Sequence, residues 1–456
     1  MRNILIIGAG RSATSLIQYL LDNSDKEELF ITIGDLSIQN SQKLIKDHPN
    51  ARAILLDVFN DIQRRQAIEG SDLVISMLPA RYHIEVANDC IEFCKHLVTA
   101  SYISEEMAAL NHKAKAKGLV FMNEIGLDPG IDHMSAMQVI DRIRAKGGKM
   151  LLFESFTGGL IAPESDDNLW HYKFTWNPRN VVLAGQGGAA EFIQEGTYKY
   201  IPYHRLFRRT EFLDIEGHGR FEAYANRNSL KYRSVYGLKD ILTLYRGTIR
   251  RVGFSKAWNM FVQLGMTDDS YTIPDSEILS YRDFVNMFLP YSPTDSVELK
   301  LRHNLKIDQD DLMWGKLVEL DIFNADKKIG IKNATPAMAL QKILMDKWTL
   351  QKDDKDMIVM YHKFGYELDG EKKQIDSHMV IKGDNQVHTA MAKTVGLPVA
   401  IAALKILNEE ITTYGVQLPI SKEVYEPILK EMENYGIEFV ERATTYLGYN
   451  PDNVAG

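Results

Sequence analysis

Cysteine is nearly absent: the 456-residue sequence holds two, Cys90 and Cys94. Spaced four apart in a stretch patterned as helix, they suit neither disulfide geometry nor a four-ligand zinc set, and two buried helix thiols are expected. No metal site is expected. Nowhere is there a run of about 18 apolar residues, and the apolar opening before Gly8 is far shorter than a signal-peptide core. Neither a membrane span nor a leader is expected, which points to the cytoplasm, where thiols stay reduced. Clustered positive charge is missing as well: 53 Lys and Arg against 61 Asp and Glu leave a formal charge of −8. That balance argues against a general binder of nucleic-acid backbones, whose affinity comes from massed cations. Internal repeats and low-complexity tracts are also lacking.

What is present is ordinary globular composition, 45% hydrophobic and 25% charged, enough to bury a core against the entropy of the chain. The length exceeds the roughly 250–300 residues that one core organises, so two or three domains are expected. From residue 1 to about 125, the runs Ile4–Ile7, Leu29–Ile33, Ala53–Leu56, Leu73–Met77, His96–Thr99 and Leu119–Met122 alternate with helical spacing. This is the rhythm of a parallel sheet with crossover helices. The fold class expected is α/β: a Rossmann dinucleotide-binding domain over 1–150, and a second, mixed α/β domain over 151–235 and 321–389. A helical insertion is expected over 236–320, and a carboxyl-terminal segment over 390–456. Within these, Leu151–Phe156, Tyr172–Trp176, Met357–Tyr361 and His378–Ile381 read as strands. Leu238–Tyr245, Lys256–Leu264 and Tyr281–Leu289 read as helices, as does Thr394–Ile411 with Pro398 near its first turn.

Gly8-Ala9-Gly10-Arg11-Ser12-Ala13 follows the first strand and leads into helical spacing, a dinucleotide fingerprint whose third glycine is alanine. Gly8 suits the tight turn, Gly10 the close approach of a pyrophosphate, and Ala13 the packing of helix on sheet. A helix amino terminus then offers unpaired N–H groups to the phosphates. The same string is also compatible with a plain strand-to-helix turn. Asp35 closes the second strand, where a carboxylate accepts hydrogen bonds from the adenosine ribose and repels a 2′-phosphate, so NAD is favoured, with NADP as the alternative through Arg11. Leu78-Pro79 and Ala100-Ser101-Tyr102 end two further strands at the carboxyl edge, the border of the nicotinamide half.

Longer strings carry a resemblance. Thr99-Ala100-Ser101-Tyr102, the segment Glu124 to Met134 around Leu127-Asp128-Pro129-Gly130, Gly158-Gly159-Leu160, Asn226-Arg227, Tyr245 to Arg250 and Ala390 to Pro398 occur in the order found in glutamate-forming saccharopine dehydrogenases, also called saccharopine reductases. The sequence resembles that family from about residue 3 to 435. The resemblance implies a reversible oxidation of saccharopine to L-glutamate and 2-aminoadipate 6-semialdehyde, a step of lysine metabolism, by a homodimer, with the mixed domain serving substrate binding and dimerisation and the segment 390–456 completing the Rossmann domain. It implies that Ser101, Tyr102, Asp128, Arg227, Thr248, Ile249 and Arg250 meet saccharopine. Gly8, Gly10, Arg11, Ser12, Ala13, Asp35, Leu78, Pro79 and Leu127 would meet the dinucleotide. One departure bears on the cofactor: Gly34-Asp35-Leu36-Ser37 carries no arginine for a 2′-phosphate.

Saccharopine has three carboxylates, and guanidinium groups bind carboxylates through paired donors, which makes Arg227 and Arg250 natural anchors. Asp128 is the candidate catalytic residue, a carboxylate able to order the substrate amine and stabilise the cationic iminium that accepts hydride. His133 and His171 are expected to be hydrogen-bonded structural histidines, and Trp170 and Trp176 to be core or pocket wall. Two alternatives stay open: a carboxynorspermidine-type imine reductase, and a dinucleotide-sensing regulator without turnover.

Overall fold

In a computed structural model, which describes residues 1–449 and the backbone of 454–455, each of the first six apolar runs becomes a strand. These are β1 (Arg2–Ile7), β2 (Leu29–Asp35), β3 (Ala51–Leu55), β4 (Leu73–Ser76), β5 (His96–Val98) and β6 (Val120–Met122). The chain continues through β7 (Lys149–Ile161), β8 (Ala190–Gln194), β9 (Thr197–Ile201), β10 (Thr210–Ile215), β11 (Gly219–Ala225), β12 (Thr243–Arg251), β13 (Asp356–Leu368) and β14 (Glu371–Lys382). It closes with β15 (Gly415–Gln417), β16 (Val440–Thr445) and β17 (Val454–Ala455).

Two compact units result, one formed by Met1–Lys149 with Met379–Glu441, the other by Met150–His378 with the chain from Arg442 onward. In the first, a seven-stranded sheet runs β3-β2-β1-β4-β5-β6-β15, every pairing parallel. The first six positions have the strand order of the doubly wound Rossmann fold. Helices cover both faces, which is why the central strands are apolar throughout. Leu5, Ile7, Val74, Leu97 and Phe121 pack with Val86, Ala87 and Cys90 of the helix His83–Phe93. Ile4 and Ile6, pointing the other way, are fully buried too.

The helices Thr14–Asp22 and Ala390–Leu407 pack on one another, and the second also packs on β4 and β5. A Cβ at Gly396 would stand 2.8 Å from the Leu16 amide nitrogen and 3.0 Å from the Ser12 carbonyl, so only glycine permits this approach. The helix Ala390–Leu407 begins earlier than its spacing suggests, because the Thr389 side chain accepts from the Ala392 amide. Pro398 consequently lies inside the helix and not in its first turn. By length and composition this helix passes for a membrane span, yet 78% of it is buried within the protein.

Several expectations are corrected. Leu238–Tyr245 is not a helix. Thr243–Arg251 forms β12, an internal strand of the second unit's sheet, whose order is β16-β14-β13-β7-β12-β11-β10-β17. It pairs parallel with β7 and antiparallel with β11, the mixture expected for this unit. Because most of β12 is buried on both faces, no apolar–polar alternation announced it. The helical stretch therefore spans Phe254–Leu264 to Pro336–Trp348 and not 236–320. Tyr172–Trp176 makes only an isolated bridge at Phe174, its Tyr172 and Phe174 rings packing on Trp348. The final segment does not complete the first unit throughout: the chain from Arg442 belongs to the second. Cys90 is buried, but Cys94 is exposed, occupying the left-handed cap that ends its helix.

Candidate active site

The turn after β1 is shaped by its glycines. Gly8 has φ +102°, and its amide donates to the Gly34 carbonyl at 2.8 Å. A Cβ there would lie 3.0 Å from the Met77 carbonyl oxygen. Gly10 differs: its backbone is extended, with φ −73° and ψ 178°, a conformation open to any residue. A Cβ at Gly10 would meet no protein atom within 4 Å. Nothing in the fold demands glycine there, so the missing side chain leaves room for a ligand. The following turn, Arg11–Ala13, has no side-chain cap, and its N–H groups open the helix Thr14–Asp22. Ala13 is buried, Ser12 half-buried and Arg11 exposed. A room-leaving glycine before an uncapped helix start fits the pyrophosphate of a dinucleotide.

Asp35, at the end of β2, holds this turn from the side. One carboxylate oxygen accepts the Ala9 amide at 2.7 Å and the other the Ser37 amide at 2.8 Å. The group is thereby fixed beside the glycine turn, where an adenosine ribose is met in folds of this order. Leu78 is half-buried and Pro79 exposed, just past β4.

Two loops meet at the ends of β5 and β6. The Glu124 amide donates to the Ser101 carbonyl at 3.1 Å, and a Glu124 carboxylate oxygen accepts the Ile103 amide at 3.0 Å. The other carboxylate oxygen lies 3.0 Å from His133 Nε2, with both residues buried. His133 thus anchors the loop it follows. That loop presents Leu127, buried, and Asp128, half-buried, and the Tyr102 hydroxyl reaches Asp128 Oδ1 at 3.5 Å. Ser101 is half-buried and Tyr102 is 48% exposed. The structure therefore brings Ser101, Tyr102 and Asp128 together at one edge of the parallel sheet.

Sequence reasoning missed Glu124 and His83. His83 opens the helix His83–Phe93, with Nδ1 2.8 Å from Ser76 Oγ and Nε2 2.7 Å from Ser101 Oγ. The only signal was its place just after the β4 loop. His171, by contrast, is exposed, with Nδ1 2.8 Å from Asp166.

In the second unit, Thr248, Ile249 and Arg250 lie on β12. Thr248 donates to Asn226 Oδ1 at 2.8 Å, and Ile249 is fully buried. Arg250 is 3% exposed. Its guanidinium sits over the rings of Tyr172, Tyr224 and Phe254 at 5.2, 5.7 and 5.3 Å. One Nη donates to its neighbour's carbonyl at 2.9 Å, while Nε is buried with no hydrogen-bond partner among the described residues. Arg227 follows β11 and is exposed, its carbonyl receiving the Glu191 amide at 2.8 Å.

Comparison with known proteins adds a lineage to this geometry. A family profile described as "Saccharopine dehydrogenase NADP binding domain" matches residues 4–122, and one described as "Saccharopine dehydrogenase C-terminal domain" matches residues 126–437. Saccharopine dehydrogenase [NADP(+), L-glutamate-forming] of Saccharomyces cerevisiae is 32% identical, covering 97% of this chain and 99% of its own length. Alpha-aminoadipic semialdehyde synthase of Arabidopsis thaliana is 31% identical over 96% of this chain. The chain spans only 45% of that longer relative. Among solved structures, the apo histidine-tagged saccharopine dehydrogenase (L-Glu forming) of Saccharomyces cerevisiae superposes with a TM-score of 0.88 at 31% identity, covering 98% of this chain and 100% of that one. With both profiles matched in sequence order and a yeast relative aligned nearly end to end, the chain belongs to the saccharopine dehydrogenase family.

Proposed function

We propose that this protein catalyses the reversible oxidation of saccharopine, with an oxidised nicotinamide dinucleotide and water, to L-glutamate, 2-aminoadipate 6-semialdehyde, the reduced dinucleotide and a proton. The observation that carries this reading is Arg250, a buried guanidinium with no carboxylate partner among the described residues. Leaving a cation so placed unpaired is costly, and a ligand carboxylate repays the cost with paired, charge-assisted donors. Within the family, a tricarboxylic amino acid is the ligand that answers this need, with Arg227 taking a second carboxylate. A bound dinucleotide supplies the hydride acceptor. The protein's own contribution is to hold that dinucleotide with the turn Gly8–Ala13 and Asp35, and to place the substrate amine against Asp128 and Tyr102.

The test is the rate of nicotinamide reduction by the purified protein with saccharopine, set beside carboxynorspermidine. Turnover with saccharopine alone is expected. Preference for carboxynorspermidine would transfer the chain to the rival imine reductases, and dinucleotide binding without turnover of either would make it a regulator.

The cofactor we propose is NAD, although the yeast relative and the matching profile carry NADP in their names. The Asp35 carboxylate, fixed by the Ala9 and Ser37 amides, would face a 2′-phosphate as a like charge, worth about 1–3 kcal/mol at a partly exposed position. NAD is therefore expected to show a kcat/KM roughly 5- to 150-fold above that of NADP. Asp35→Asn keeps an acceptor for the Ala9 amide while removing the charge, and should raise NADP turnover more than it lowers NAD turnover. Equal or better use of NADP by the unaltered protein would reverse the assignment.

A further inference from the structure

Behind Ser101 lies a buried ring that the proposed reaction does not yet use. His83 is 4% exposed, and three hydroxyls surround it. Its Nδ1 is 2.8 Å from Ser76 Oγ, and its Nε2 is 2.7 Å from Ser101 Oγ and 3.3 Å from Thr99 Oγ1. Ser76 ends β4, while Thr99 and Ser101 follow β5, so one side chain ties together two strand ends at the ligand-binding edge of the sheet. Burial lowers the His83 pKa to about 4, which leaves the imidazole neutral with a single N–H near neutral pH.

Hydrogen-bond accounting decides which nitrogen carries that proton. Ser76 is fully buried, and the only partner of its hydroxyl among the described residues is His83 Nδ1. A proton on Nδ1 would occupy the Ser76 oxygen and strand the serine proton without an acceptor. The short contact from Nε2 to Ser101 would then consume the Ser101 proton and leave Thr99 stranded as well. With the proton on Nε2, Ser76 donates to Nδ1 and Nε2 donates to Ser101. Among the buried hydroxyls only Thr99, which accepts the Ser101 amide at 3.3 Å, then keeps an unused proton, because the Ser101 proton that is also freed belongs to a half-buried residue. Folded proteins favour the arrangement with fewer buried orphans.

We propose that His83 is a positioning residue: its Nε2–H holds the Ser101 oxygen, so that the serine's own proton is turned toward the ligand and takes a ligand oxygen, not an ammonium. A substrate carboxylate and the carboxamide carbonyl of a nicotinamide both offer that chemistry. The assignment rests on the reading of this edge as a dinucleotide and substrate site.

Four variants test it: His83→Gln, whose amide reaches the place of Nε2 and still donates to Ser101; His83→Asn, which reaches only Ser76; Ser101→Ala; and the double variant His83→Asn with Ser101→Ala. Losing one hydrogen bond to a charged or strongly polar group corresponds to roughly 10- to 100-fold. His83→Asn should therefore lose that much in kcat/KM, His83→Gln should stay within a few-fold of the original protein, and the double variant should be no worse than Ser101→Ala. A loss carried by the KM for saccharopine identifies the substrate carboxylate, whereas weaker dinucleotide binding identifies the carboxamide. The shape of the pH profile should not change, since a neutral ring is replaced by a neutral amide. Unchanged constants in His83→Asn, or fully additive effects in the double variant, overturn the proposal.

A second measurement needs no turnover. In protein carrying 15N-histidine, the His83 signals, identified by their absence from His83→Gln and their displacement in Ser101→Ala, should show the neutral Nε2–H tautomer down to about pH 5. The Nδ1–H tautomer would overturn the proposal. If saccharopine is not consumed but this tautomer is found, the substrate reading fails and the His83–Ser101 arrangement stands.

Discussion

Replacing Arg250 with Met is expected to raise the KM for saccharopine by roughly 30-fold at least, with kcat within a few-fold and the melting temperature unchanged or higher. Truncating one side of a buried, hydrogen-bonded charge pair costs about 2–5 kcal/mol, or 30- to 5,000-fold. The stability half of the expectation comes from the free protein. Arg250 is buried against Tyr172, Tyr224 and Phe254 with an orphaned Nε, and a linear apolar side chain fills similar space without a desolvated charge. A guanidinium retained only for structure would behave in the opposite way, its loss lowering Tm and sparing KM. Arg250→Lys should recover little, because an ammonium lacks the planar fork that matches a carboxylate. Steady-state kinetics paired with calorimetry on the two variants decides between these outcomes.

Asp128→Asn should lower kcat about 10²- to 10³-fold and leave the saccharopine KM nearly as it was. The side chains are nearly isosteric, so the Tyr102 contact at 3.5 Å and the loop around it should persist. What disappears is the negative charge proposed to lie beside the carbon–nitrogen bond, where it would matter most when that bond is a cationic iminium. A fixed charge aimed at a developing charge is worth about 2.7–4 kcal/mol in a preorganised site. Single-turnover rates across the pH range measure this directly. Equal rates for the two proteins at every pH would remove Asp128 from the chemistry.

The legibility of these features in the sequence followed their range. The six strands of the first unit could be read because each is a short apolar run between helical stretches, and burial on both faces makes such runs uniform. The same uniformity hid β12, whose Leu244 and Tyr245 continue a helical spacing begun by Leu238 and Ile241 in the turn before it. The glycine turn was readable because its signal is local, three residues of turn and the start of one helix. Arg250 was nominated only through the resemblance, since which of two adjacent arginines is buried depends on the face that β12 turns to its neighbours. His83 was invisible for a related reason: its partners lie 7, 16 and 18 residues away along the chain, gathered only when β4 and β5 lie side by side. Gly396 lay within a recognisable string, yet nothing in that string says which backbone it touches.

That glycine links two distant stretches of the chain in time as well as in space. The loop expected to clasp the pyrophosphate is translated before the helix that braces Ser12 and Leu16 from behind, and that helix, with Gly396 at the point of closest approach, leaves the ribosome some 380 residues later. A contact of such sequence separation forms late and slowly. During synthesis the glycine turn therefore stays without this brace until those intervening residues have been added.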